Sequence, residues 1–177
     1  MSTPKLATIW LDGCSGCHMS FLDMDERLVE LGAQFELVYS PLVDTKTYPE
    51  LVDVALVEGA VSTDEDEHKI RLIRARTRIL VALGDCAVTG NVPIMRNAFP
   101  VDALFERAYK ETATIRQQNP AYHLPTLLKR ARPVHEVVPV DVHVPGCPPS
   151  ADTIHVVLTE LLAGRTPDVA ALTRFGI

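Results

Sequence analysis

No apolar run in this 177-residue chain approaches the ~20 consecutive residues that a membrane-spanning helix requires. The opening residues, Met1-Ser2-Thr3-Pro4-Lys5, lead straight into a short apolar run. They contain neither the long apolar stretch of a secretory signal nor a twin-arginine motif. Both absences point to a soluble, cytoplasmic protein. Positive charge is scarce as well, with 17 Lys and Arg against 23 Asp and Glu and a net charge of −6. No basic stripe interleaved with aromatics occurs, which argues against a nucleic-acid partner. Internal repeats, low-complexity stretches and composition shifts are all missing. A single domain over residues 1–177 is therefore expected, with 47% apolar residues to fill its core.

Cysteine is the scarcest reactive residue, with four in the chain: Cys14, Cys17, Cys86 and Cys147. A chain this long does not need disulfide staples, so the four do not read as a secreted disulfide framework. Their positions are informative, because each site directly follows an apolar run and is flanked by glycine.

The apolar runs read as strands. Leu6–Leu11 is short and buried, ending at Asp12-Gly13. A helix is expected over His18–Leu31, with Leu22, Met24, Leu28, Val29 and Leu31 on its apolar face and Gly32 just past its end. Strands follow at Phe35–Tyr39, Val54–Val57 and Ile79–Leu83, with a Pro41- and Pro49-containing loop over residues 41–51. Ser62 is the expected cap of a helix, with Glu65 completing a capping box. The charges of that helix run from Asp64, Glu65, Asp66 and Glu67 to Arg71, Arg74, Arg76 and Arg78, matching its macrodipole. This is the pattern of a solvated surface helix, and no function is assigned to it. Residues Val88–Phe99 read as loop and short helix, and Val101–Thr112 as helical. Residues 116–133 read as a proline-containing, basic excursion from the core fold. The last strand is expected over Val137–Val144, with Pro139 at its edge. Ser150 or Asp152 then caps a final helix running to Leu162.

Strands alternating with helices indicate an α/β fold built on a mainly parallel sheet with helices on both faces. In such sheets ligands sit beyond the carboxyl ends of the strands. All four cysteines fall at that edge, so they form one candidate centre. Gly13, Gly16, Gly84, Gly90 and Gly146 permit close backbone approach to such a centre. Helix N-termini after Cys17 and after Pro149 would offset negative charge there, and Pro148 and Pro149 stiffen the last loop. Spacing favours an iron–sulfur cluster but leaves two alternatives open, structural zinc and a thioredoxin-like dithiol. The dithiol reading leaves Cys86 and Cys147 idle, and zinc sites usually pair two close CxxC knuckles. Glu58 ends a strand at the same edge, where a buried carboxylate is costly without a partner. It reads either as a proton relay or as an ordinary loop residue. Asp85 reads as a turn cap. The six histidines share no ligand spacing; His18, beside Cys17, is singled out as a donor to the centre. The Tyr39–Tyr48 loop suits a flavin topologically, though no sequence feature marks it as a flavin site.

Four motifs together resemble a known family: Cys14-Ser15-Gly16-Cys17 after the first strand, Val57-Glu58-Gly59, Gly84-Asp85-Cys86, and Pro145-Gly146-Cys147-Pro148-Pro149. The chain resembles the small subunit of nickel–iron hydrogenases over essentially its whole length, and most of all the short, cytoplasmic, NAD-reducing type. That resemblance implies a flavodoxin-like, doubly wound fold and one 4Fe–4S cluster held by Cys14, Cys17, Cys86 and Cys147. It places the nickel–iron centre, and so hydrogen chemistry, on a large-subunit partner, leaving no catalytic residue in this chain. Electrons would pass to diaphorase subunits carrying FMN and further iron–sulfur clusters. Longer relatives carry a C-terminal extension with more clusters, whereas here no cysteine follows Cys147, so one cluster is expected. The cluster-bearing subunit of respiratory complex I is similar in fold and in the GCPP motif, but usually shows two adjacent cysteines in place of the first CxxC. A zinc-stabilised binding module is the alternative of a different class.

Overall fold

Short runs of Val, Ile, Leu and Ala with no polar alternation bury both faces of a strand, and that is how this chain builds its sheet. The computed structural model describes residues 3–173. β1 (Lys5–Trp10) is followed by α1 (Gly16–Leu22) and α2 (Glu26–Gly32), then β2 (Glu36–Tyr39) and β3 (Val52–Glu58). A short β4 (Val61–Thr63) leads into α3 (Asp64–Ala75) and β5 (Thr77–Leu83). Next come α4 (Asp85–Thr89), α5 (Asn91–Ile94), a 3-10 turn at Met95–Ala98 and α6 (Val101–Glu106), which a π turn extends to Glu111. β6 (Leu127–Arg132), β7 (Val142–Val144), α7 (Ala151–Leu162) and α8 (Val169–Leu172) complete the described chain.

β2, β1, β3, β5 and β7 form one parallel sheet in that order, the flavodoxin-like 2-1-3-4-5 arrangement when only its own strands are counted. Alternate residues feed two cores. Leu6, Val54, Leu56, Val81 and Val144 pack under α1, α2 and α7 through Phe21, Met24, Leu31, Ile154 and Leu158. Ala7, Ile9, Ala55, Val57, Leu80 and Ala82 pack under α3 and α4 through Ile70, Ile73, Ala87 and Val88. Each fully buried Leu or Ile contributes about 1.5–3 kcal/mol. The α/β, two-faced, mainly parallel expectation is met.

The register positions the site. Trp10 pairs with Glu58, Glu58 with Leu83, and Leu83 with Val144, so four strands end in one row. The chain reverses direction of winding between β1 and β3: the helices after β1 cover one face and the helix after β3 the other. Such a switch point opens a crevice at the strand ends.

Local expectations shift in several places. The helix expected over His18–Leu31 is two helices, broken where Asp25 takes φ 50° and Met24 turns into the core. With ψ −122° this backbone lies outside every helical region, so the first helix cannot continue through Asp25. Cys17 lies inside α1, which begins at Gly16, and not ahead of it. The capping box sits one residue later than expected, with Thr63 as cap and Asp66 closing it. Ser62 is held back in β4 and bonds the Asp12 carboxylate. Residues 116–133 are not wholly an excursion, because Leu127–Arg132 pairs antiparallel with β4. The last strand keeps only Val142–Val144; Val134–Glu136 forms a 3-10 turn, and Pro139, which has no N–H to donate, stands outside the ladder. Ser150, not Asp152, caps α7 by accepting the Thr153 N–H at 3.2 Å.

Candidate metal centre

Each cysteine loop leaves the row of strand ends and is fastened to its neighbours. After β1, Leu11 N–H donates to the Glu58 carbonyl at 2.9 Å, and Asp12 exchanges backbone bonds with Ala60. Gly59 takes φ 93°, and a Cβ there would lie 2.8 Å from the Leu11 carbonyl carbon, so only glycine allows this crossing. After β5, Asp85 N–H donates to the Gly146 carbonyl, and Gly146 N–H donates back to Asp85 Oδ1 at 2.7 Å. Asp85, read from sequence as a turn cap, thus ties the Cys86 loop to the Cys147 loop. Ser20 Oγ donates to the Pro149 carbonyl, joining α1 to the Cys147 loop across 129 residues of sequence.

The result is a cavity of about 290 Å³ lined by Asp12, Gly13, Cys14, Cys86, Asn91, Val92, Pro93 and Cys147. Cys14 and Cys147 are exposed, Cys86 is partly buried, and Cys17 is buried behind them. A Cβ on Gly84, at φ 83°, would lie 2.2 Å from Cys17 Sγ, so this glycine makes room for the sulfur. A Cβ on Gly16 would stand 3.2 Å from Cys14 Sγ. Gly13 abuts Gly59 and Glu58, while Gly146 takes φ 139° against Pro149. Pro148, in a cis bond to Cys147, lines a neighbouring cleft. Three of the four thiols of the spacing argument thus line one cavity, and the fourth, Cys17, is buried beside it against Gly84.

Glu58 and His18, considered separately in the sequence, are partners. Both are buried, and Glu58 Oε2 accepts the His18 backbone N–H at 2.9 Å and meets its Nδ1 at 2.5 Å. His18 Nε2 is buried without a partner among the described residues. Asn91 is a residue the sequence reading did not reach; its Nδ2 donates to Cys147 Sγ at 3.4 Å. Its only sequence signal is its place after Gly90, in a loop five residues past a cysteine. Tyr48, by contrast, is committed to the core: its hydroxyl bonds Thr77 and its ring packs edge-on against Tyr39.

Burial pushes the Cys17 thiol far above the ordinary range, and Glu58 and the other three cysteines push it further. Burial also raises the Cys86 thiol, followed by the Cys147 and Cys14 thiols. A bound positive charge would offset that penalty, so the placement suits a metal centre. Among the described residues, no three His, Cys, Asp or Glu side chains are grouped to hold a single ion. A tetrahedral zinc needs four sulfurs about 2.3 Å from one point. A cubane spreads its irons to separate corners, so its thiolates stand further apart around a cavity.

Residues 14–161 match the family model described as NADH ubiquinone oxidoreductase, 20 Kd subunit. The chain belongs to that family. It is 42% identical over 93% of its length to the NAD-reducing hydrogenase HoxS subunit delta of Cupriavidus necator, covering 81% of that protein. It is 37% identical over 92% of its length to an F420-non-reducing hydrogenase subunit of Methanocaldococcus jannaschii, of which it covers 57%. This family member also superimposes on a chain of a crystal structure of NAD+-reducing NiFe hydrogenase in the H2-reduced state. The TM-score is 0.93 with 40% identity, covering 98% of this chain and 99% of that one. The chain is thus a homologue of hydrogenase subunits, as the four motifs implied.

Proposed function

We propose that this chain is the electron-transfer small subunit of an NAD-reducing nickel–iron hydrogenase. Cys14, Cys17, Cys86 and Cys147 would hold one 4Fe–4S cluster. The observation that carries this reading is that Cys14, Cys86 and Cys147, from three strand-end loops, line one cavity, with Cys17 buried close to them. Its support is the 0.93 TM-score to a chain of an NAD+-reducing hydrogenase. When bound, such a cluster supplies one-electron transfer between a nickel–iron centre on the large subunit and the FMN and iron–sulfur clusters of diaphorase subunits.

The residues of this chain would bind, orient and shield. Cys17 lies deepest, and Gly84 leaves its sulfur room. Glu58 holds the CxxC helix by its His18 N–H, and a proton can shift across the 2.5 Å between Glu58 Oε2 and His18 Nδ1, one step of a relay. From Val92 in the cavity lining outward to Met95 and Phe99, side chains that are 63%, 70% and 60% exposed form an apolar surface suited to a large-subunit partner. No helix among the described residues is long and apolar enough to cross a membrane. We place the assembly in the cytoplasm.

The test uses the complex purified with its large and diaphorase subunits. Wild type should be brown, with about four irons on this chain. Cys86→Ala should abolish hydrogen-dependent NAD reduction and leave NADH-to-dye activity intact; loss of both would contradict this division of labour. A colourless subunit containing zinc without iron would establish the binding-module alternative. The description of the matching family favours one other reading, a quinone-linked subunit of a complex I-like enzyme. A native partner lacking the nickel–iron centre would favour it.

A further inference from the structure

Gly90 and Asn91 both take positive φ, 88° and 35°, at the junction between α4 and α5. Two consecutive residues in this region bend the chain sharply, and asparagine is among the few side chains that tolerate it. Gly90 N–H closes α4 by donating to the Asp85 and Cys86 carbonyls, which fixes the bend against the Cys86 loop. The bend turns the Asn91 side chain back over the cavity, where it is one of the lining residues. Its Nδ2 donates to Cys147 Sγ at 3.4 Å, within the longer range normal for sulfur acceptors.

We infer that Asn91 is a positioning residue that holds the Cys147 sulfur and raises the reduction potential of the group bound there. This inference rests on the cluster reading above and adds a determinant to it. N–H donors directed at ligand sulfurs stabilise the more negative, reduced state, so they shift the potential upward. Glu58 lies on the other side of the site, where its carboxyl accepts the backbone N–H of His18, next to Cys17. The donor amide stands over Cys147.

The experiment is an EPR-monitored redox titration of the purified complex, with iron analysis, for wild type, Asn91→Gly and Asn91→Asp. Asn91→Gly removes the donor without straining the positive-φ backbone. Asn91→Asp keeps the side-chain volume and replaces a donor by a carboxylate. The midpoint should move to more negative potential in N91G and further in N91D, with iron retained. If N91G loads too little iron to titrate, N91D carries the test. Midpoints unmoved from wild type overturn the inference. A wild-type subunit without iron would overturn the cluster reading instead, so the two failures are distinguishable.

Discussion

Glu58 Oε2 accepts the His18 backbone N–H at 2.9 Å and lies 2.5 Å from His18 Nδ1, across 40 residues of sequence. One buried carboxylate thereby fastens the end of β3 to the first turn of α1, and with it the loop that carries Cys14 and Cys17. The arrangement gives a buried carboxyl a backbone N–H and a ring nitrogen as partners, the kind of pairing such a group needs to be tolerated.

Replacing Glu58 separates fastening from proton transfer. Glu58→Gln keeps an acceptor for the His18 N–H, so the subunit should fold and retain iron. If Glu58 relays protons, hydrogen turnover should fall; unchanged turnover would reduce it to fastening alone. Glu58→Ala leaves the His18 N–H unsatisfied and should cost about 1–3 kcal/mol, measurable as a lowered unfolding midpoint.

Gly84→Ala should disable the site without touching a cysteine. The new Cβ would stand 2.2 Å from Cys17 Sγ, on a backbone at φ 83° that alanine tolerates poorly. Backbone strain alone costs about 1–3 kcal/mol, and the displaced sulfur should appear as lost iron. Gly32→Ala is the control, since a Cβ there meets nothing within 4 Å. Iron analysis of the two variants side by side should show loss only in the first.

The thiols should also differ in reactivity once metal is removed. The raised Cys17 pKa keeps that sulfur protonated through mildly alkaline pH, and it is buried. Pulse alkylation of chelator-treated protein at about pH 8, read by mass spectrometry, should label exposed Cys14 and Cys147 well before Cys17. The sign for stability follows. An unfolded thiol ionises near its ordinary value of 9.0 while folded Cys17 does not, so the folded state binds the extra proton above that pH. Stability of the metal-free form should therefore fall as pH rises past about 9. Equal labelling of Cys14 and Cys17 would contradict the burial of Cys17.

Much of the fold was legible where the chain is locally consistent. The apolar runs at 6–11, 54–57 and 79–83 have one use, as strands buried on both faces, and each lies within or nearly within an observed strand. Legibility failed where tertiary contacts compete with local preference. Leu127–Arg132 is basic and half exposed, and becomes a strand only because β4 is there to pair with it. The kink at Asp25 reflects Met24 seeking the core, which no periodicity of the helix announces. In the site, the cysteines were legible because scarce, reactive residues stood at strand ends. Asn91 was not, because an asparagine in a loop looks the same whether it faces water or sulfur.

The sequence by itself determined that four cysteines follow buried strands and that those strands form a parallel sheet, since composition and short-range pattern decide both. Only the tertiary structure decided which side chains meet. Parallel register lines up Trp10, Glu58, Leu83 and Val144 in one row, so loops far apart in the chain leave the sheet side by side. The bonds that then form, Glu58 to His18, Ser20 to Pro149 and Asn91 to Cys147, span 40, 129 and 56 residues. Interactions over such separations leave no local trace, because they depend on strand order and register and not on the residues beside them.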